Sequence, residues 1–459
     1  MEVELSAIHS RSSYPPGMRV AETLASVDDK KGTEHVETST VDEAQVPHAS
    51  SAQSATFTAS TPAMKRKART QFVAVCWTLY LAGWNDGTTG PLLPRIQAVY
   101  HVGFALVSLI FVSNCLGFVL GAAANVWLTD RFGFGRVMVL GSVMQVAGYA
   151  VEAPAPPFPV FVLGYMINGF GLALQNAGAN AYVAALKENT ATKFAILHAI
   201  YGTGAVCSPL IATQFAQRSH WSFHYLVLLG IALSNVLLLS AVFRFKDQEA
   251  CLTEIGQAPD REGGSDANKY KQIFGLRALH LMAMFILLYV GIEVTLGGWI
   301  VTYIVELRGG GASSGYISSG FFGGLTLGRV TLLWINRKVG ERRAVFLYAL
   351  LAISLELVVW LVPSLIGGAI AVSLVGVLLG PIYPIVMNHA GRVLPPWLLT
   401  GCIGWMAGFG QAGSAILPFL TGALASKVGI KSLQPLLVSM MGLLVFFWVL
   451  VPNAPRRIE

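Results

Sequence analysis

From about residue 70 onward, apolar runs of about 20 residues alternate with short polar or basic connections. That spacing suits helices that cross a bilayer, and not the ten-residue alternating segments of a membrane barrel. Twelve spans are predicted, at roughly 70–97, 103–129, 134–152, 158–186, 193–216, 222–244, 276–306, 313–335, 342–363, 366–390, 399–426 and 432–452. The expected fold class is an all-α membrane protein with twelve transmembrane helices in two pseudo-symmetric six-helix halves.

Composition agrees with the pattern: 54% of residues are hydrophobic and 12% charged, against about 25% charged in a soluble protein. Loop charge orients the bundle. The loops "KRKAR" (65–69), "DRFGFGR" (130–136), "KENTATK" (187–193) and "NRKVGERR" (336–343) fall on one face, and the other keeps Arg95, Arg218, Arg308, Lys427 and Lys431. The positive-inside rule then puts both termini in the cytoplasm, with the plasma membrane as the expected location. The first 62 residues carry nine acidic against four basic residues and no apolar periodicity, so residues 1–68 are expected as a disordered cytoplasmic tail. The net charge of +7 belongs to the loops and an anionic leaflet, so a lipid bilayer is the expected partner and nucleic acid is not. Cys76, Cys115, Cys207, Cys251 and Cys402 stand singly, without metal-ligand spacing, and neither a metal nor a cofactor is expected.

The chain repeats itself. Gly202, Gly204 and Ser208 recur as Gly408, Gly410 and Ser414, and Asp130-Arg131 as Asn336-Arg337, each 206 positions on; the intramembrane acids Asp86 and Glu293 are 207 apart. Halves at 69–245 and 274–452 are therefore expected, joined by a polar cytoplasmic linker at 246–273 and followed by a tail at 453–459. Two parallel six-helix repeats with polar groups buried between them suit a transporter that rocks one half against the other around a midplane site.

"DRFGFGR" resembles the loop motif between the second and third helices of the major facilitator superfamily, although an extra residue separates Gly133 from Arg136 and Val126 stands where glycine is usual. "GWNDGTTGPLLPRIQ" (83–97), "LHAIYGTGAVCSPLIAT" (197–213), "YVGIEVTLGGWIVTY" (289–303), "GGLTLGR" (323–329), "LGPIYP" (379–384) and "FGQAGSAILPFLTGALA" (409–425) together resemble its fucose-permease-like branch, particularly fungal members. The resemblance spans residues 70–452 and implies alternating access without enzymatic chemistry.

The resemblance implies proton coupling at Asp86, with a structural ion pair or helix cap as the competing reading. Gly83, Gly87, Gly90, Pro91 and Pro94 around it predict a bent or partly unwound helix. Glu293 is its counterpart, one turn from Tyr289 and Gly297. Where sugar symporters of this branch carry a glutamate, this chain has Gln175, which cannot titrate. Gln175 and its neighbour Asn176 could line a cavity or bond between helices. His198 and Tyr201, three apart on span five, match a motif of the resemblance. Trp84, Asn85, Tyr289 and Trp299 complete the candidate solute-contacting set. Asp130, Arg131, Arg136 and Arg337 form the candidate cytoplasmic gate. Arg329 is expected to snorkel or to brace the "NRKVGERR" loop, and Glu356 has no assigned role.

The expected function is secondary active transport of a small organic solute by a monomer, linked to protons, leaning to export of a small metabolite. Hexose uptake is the alternative. A non-transporting sensor would be expected to carry a folded cytoplasmic extension, and a membrane enzyme a polar constellation at one face.

Overall fold

A computed structural model describes residues 61–257, 268–395 and 398–453, and is helical throughout with no strand among the described residues. The first half contains α1 (Pro62–Tyr100), α2 (Phe104–Phe132), α3 (Phe134–Glu152), α4 (Phe158–Ala184), α5 (Thr190–Ala216) and α6 (His224–Phe243). The second contains α7 (Arg277–Leu307), α8 (Tyr316–Thr331), α9 (Glu341–Leu361), α10 (Leu365–Val393), α11 (Leu399–Val428) and α12 (Leu433–Leu450). Nine of these are long and apolar enough to cross a membrane by composition alone. The other three, α1, α8 and α11, complete the twelve; α8, at 16 residues, is the shortest of them. The spans read from hydropathy match these helices to within a few residues, except at the start of α1.

There the helix begins at Pro62, inside the stretch expected as a disordered tail, of which residues 1–60 lie outside the described residues. Thr61 accepts a hydrogen bond from the Met64 amide at 3.3 Å, and Pro62 takes the first helical position, where its missing N–H costs nothing. The expected linker contains two short helices, Gln248–Thr253 and Asn268–Phe274. The first docks beneath the first half. Glu254 pairs with Lys67 at 2.7 Å and with Lys246, Gln71 Nε2 donates to the Cys251 carbonyl at 3.4 Å, and the Tyr182 hydroxyl donates to Gln71 Oε1 at 2.8 Å. Residues 258–267 of the linker, and residues 454–459 of the expected C-terminal tail, lie outside the described residues.

The two halves use the same helix pairs. In the first, α1 packs on α5, α2 on α4, and α3 on α4 and α6; in the second, α7 packs on α11, α8 on α10, and α9 on α10 and α12. The loop glycines repeat as well: Gly133 (φ 82°) ends α2 and Gly340 (φ 87°) precedes α9, 207 positions apart, in a backbone region that a residue with a Cβ rarely adopts. The halves meet where α1 touches α7, α2 touches α11 and α5 touches α8, an arrangement that maps onto itself when they are exchanged.

The expected unwinding of α1 is not observed. The helix runs unbroken through Pro91 and Pro94, and its glycines serve close packing instead. A Cβ on Gly83 would stand against the Tyr201 carbonyl, one on Gly87 against that of Ala205, and one on Gly90 against that of Gly297. Small residues that let backbones approach are the usual solution where no water is available to drive helices together.

Candidate functional site

The middle of the bundle holds polar side chains from both halves. The Tyr201 hydroxyl on α5 donates to Asp86 Oδ2 at 2.5 Å, and Asn85 Nδ2 donates to Asp86 Oδ1 at 3.2 Å. Asp86 is exposed although it sits in the interior of a helix whose neighbours are buried, so its carboxylate opens on a cavity. Across the interface, Glu293 on α7 faces the Arg329 guanidinium on α8 at 3.9 Å. Glu293 lies within electrostatic reach of Asp86, and Tyr201 within reach of Glu293 and Arg329. Tyr289 and Tyr383, with ring centroids 6.0 Å apart, flank the pair from α7 and α10, and His198 faces Arg329 from α5. One cluster thus joins an acid–tyrosine pair from the first half to an acid–arginine pair from the second. Arg329 does not snorkel or brace the loop as expected: its guanidinium faces the partly buried Glu293 carboxylate on the neighbouring helix α7.

The cavity is closed at the end away from the chain termini. There Phe111 sits against Gly298, and the Trp299 ring packs on Phe104 and Phe111 at 5.9 and 6.3 Å. Ser319 Oγ donates to the Val206 carbonyl at 3.1 Å, and Gln217 Nε2 to that of Ala312 at 2.9 Å. Toward the termini the same interface is open. Gln411 and Ala415 of α11 lie on the stripe that faces α2, where Cys115 Sγ donates to the Gln411 carbonyl at 3.2 Å. One and two turns back along that stripe, Gly408 and Gly404 are exposed, and an added Cβ on either would meet nothing within 4 Å.

Of the expected solute-contacting residues, His198, Tyr201 and Asn176 retain access, whereas Trp84 and Tyr289 are 7% and 1% exposed. Three others are placed in packing. Asn85 turns into the first half, where its Oδ1 accepts from Asn168 Nδ2 at 2.6 Å and from the Tyr149 hydroxyl at 3.2 Å. Gln175 is buried behind the cavity wall, donating to the Met138 carbonyl at 3.2 Å and accepting from Asn235 at 3.3 Å. Trp299 is fully buried, and its Nε1 donates to the Pro418 carbonyl at 3.1 Å, so no ring face is left for a solute. Two members of the cluster were not selected from the sequence, Arg329 and Tyr383; both stand in quoted segments of the resemblance, "GGLTLGR" and "LGPIYP".

In the expected gate, Asp130 is exposed with no partner among the described residues, Arg131 lies over the Trp127 ring at 5.8 Å, and Arg136 Nη1 donates to the Phe132 carbonyl at 3.4 Å. The Arg337 side chain lies outside what the structure describes.

Comparison with known proteins agrees with this architecture. The chain is 26% identical over 408 residues to Bypass of stop codon protein 6 of Saccharomyces cerevisiae, covering 83% of this chain and 82% of that one. It is 23% identical over 349 residues to the glucose/mannose transporter GlcP of Bacillus subtilis, covering 73% and 83%. Among solved structures, the Escherichia coli fucose:proton symporter FucP aligns with TM-score 0.59 at 17% identity over 83% of this chain and 98% of that one. A D-xylose–proton symporter aligns with TM-score 0.71 at 13% identity over 84% and 98%. The profile of the Major Facilitator Superfamily matches residues 75–396. Twelve helices in two equivalent halves, a fucose-permease-like fold and that match together establish that the chain belongs to the Major Facilitator Superfamily of membrane transporters.

Proposed function

We propose that this protein moves a small organic solute by alternating access and couples the movement to protons at Asp86 and Glu293. The observation that carries the reading is the polar cluster between the halves. Asp86 opens on the cavity and is held by Tyr201, while Glu293 is held by Arg329 at only 3.9 Å, a separation that a change of protonation or a solute could alter at little cost. If the basic loops are cytoplasmic, the open end faces the cytoplasm and the structure represents an inward-open state. In that state the gate at Asp130, Arg131 and Arg136 is released, in keeping with Asp130 having no partner among the described residues.

The solute meets Asn176, His198, Tyr201 and the flanking tyrosine Tyr383. Aromatic rings beside few hydrogen-bonding groups suit an amphipathic metabolite, and Gln175, bonded inside the first half, supplies no titratable group for sugar symport of the kind the resemblance implies. Export of a small metabolite is therefore favoured. A second reading, hexose uptake, is supported by the sugar-transporting names of several relatives. Purified protein in liposomes, offered a panel of hexoses and amphipathic metabolites under an imposed pH gradient, separates the two. Asp86→Asn and Glu293→Gln should abolish gradient-driven accumulation and spare exchange at equal concentrations. If both variants accumulate solute as the parent does, the two acids are structural.

A further inference from the structure

The proton-linked reading leaves two fully buried acids unused, Glu152 and Glu356, and Glu152 is the one that hydrogen bonds link toward Asp86. Glu152 is the last residue of α3, at the closed end of the first half, and is fully buried, with neither carboxylate oxygen hydrogen-bonded. The groups facing it are tyrosines from every helix around it: Tyr149 on its own helix, Tyr100 at the end of α1, Tyr165 on α4 and Tyr225 on α6. Among the described residues, no lysine, arginine or histidine pairs with it. The fold makes room for this side chain, because α4 passes it at Gly164, where a Cβ would stand 2.7 Å from Glu152 Cγ. A carboxylate buried without a cation or a donor is far less stable than the neutral acid, so Glu152 holds a proton while this end is closed.

The network inward from Glu152 leads to Asp86. Tyr149, one turn before Glu152 on the same face of α3, donates its hydroxyl to Asn85 Oδ1 at 3.2 Å, and Asn85 donates to Asp86 at 3.2 Å. Tyr149 feels the charge of both acids. Its hydroxyl has one proton to give. Were Glu152 ionised, that donor would turn to the carboxylate, the stronger acceptor, and leave Asn85, loosening the hold on Asp86.

We propose that Glu152 is a second proton-binding site, reached from the end opposite the termini when that end opens, and coupled to Asp86 through Tyr149 and Asn85. The proton bound there comes from water at that face and returns to it; Tyr149 exchanges hydrogen-bond partners and keeps its own proton. The proposal rests on the proton-linked reading, but its test needs no identified solute.

Infrared difference spectra of the full-length protein in liposomes, recorded as the pH is stepped from about 5 to about 9, report protonated carboxylic acids by their carbonyl stretch. The parent should show a carboxylic acid band that is absent from Glu152→Gln, persists in Asp86→Asn and bleaches as the pH rises. Tyr149→Phe, which removes the coupling hydroxyl but no acid, should shift the midpoint of that bleaching. Glu152→Gln has nearly the shape of the neutral acid and should match the parent in thermal stability. The proposal is overturned if parent and Glu152→Gln spectra coincide, or if the Glu152 band stays constant across the range, or if Tyr149→Phe leaves its midpoint in place. A titrating Glu152 beside Asp86→Asn and Glu293→Gln proteins that still drive accumulation would defeat the proton-linked assignment of those two acids alone. A silent Glu152 beside an uncoupled Asp86→Asn would defeat this inference alone.

Discussion

Asn85→Ala tests whether the residue next to Asp86 serves the solute or the scaffold. In the structure Asn85 Oδ1 is the acceptor for two buried donors, Asn168 Nδ2 at 2.6 Å and the Tyr149 hydroxyl at 3.2 Å. Asn168 and Tyr149 are both fully buried, so neither has water to fall back on. Each orphaned donor costs about 1–3 kcal/mol, which puts the loss of stability for Asn85→Ala at about 2–6 kcal/mol. Tyr149→Phe removes one of those donors. The double variant should therefore be more stable than the sum of the single effects predicts, by about 1–3 kcal/mol. Thermal unfolding in detergent can be followed through the buried thiols of Cys76 and Cys115, which react only once their helices separate. A parental unfolding temperature for Asn85→Ala, together with weakened solute binding, would refute the reasoning and return Asn85 to the cavity.

Trp299→Phe forfeits the bond to the Pro418 carbonyl and part of the contact with Phe104 and Phe111, and should cost about 1–2 kcal/mol in the same unfolding assay. Solute affinity should not change; altered affinity at parental stability would put the indole on the solute's route. Asp130→Ala should leave the protein inserted but slow turnover in liposomes, because the gate's charge-assisted bonds are then missing from the opposite state; unchanged turnover at equal abundance refutes the gate. At the linker, burial alone would raise the Glu254 carboxyl, but hydrogen bonds from Lys246 and Lys67 hold it below the usual glutamate value. With the folded value depressed, its contribution to docking is present above the unfolded value near about 4.3 and is lost as pH falls through the folded one. Glu254→Gln should mimic that loss at neutral pH, read as faster modification of Cys251, which is buried and whose thiol burial pushes up to about 11; an unchanged rate means the two lysines do not hold the helix.

Spans were legible because hydropathy is a property of one segment at a time, and the bilayer requires it of each. The opening turns of α1 were not, since "KRKAR" is too polar to look like part of a span, and what holds it is Glu254, far along the chain. Asp86 and Glu293 stood out because an acid in an apolar run demands a reason. Their pairings did not. Tyr201 and Arg329 reach them from other helices, and no periodicity within one helix reveals a pairing between two. The same limit explains Asn85 and Gln175: in a helix buried on most sides, a polar residue shows that it needs hydrogen bonds, without showing whether they come from solute or scaffold. The glycines of α1 were visible, but close approach and local unwinding call for the same residue, and only the packed neighbour, the Tyr201 carbonyl, distinguishes them.

The length of α1 makes it a mechanical pointer. Its 39 residues, at 1.5 Å each, extend about 58 Å, nearly twice the ~30 Å of hydrocarbon it crosses. The surplus includes the turns that carry Lys67, clamped to the linker through Glu254. Since Gly83 and Gly87 lock the same helix to α5 backbone against backbone, the shaft cannot slip within its half. A tilt of ~10° about a pivot near Asp86 would swing the Lys67 end, roughly 28 Å away along the axis, by about 5 Å. Such an excursion is far larger than any bond length at the pivot, so the linker receives each rocking of the half as an amplified stroke.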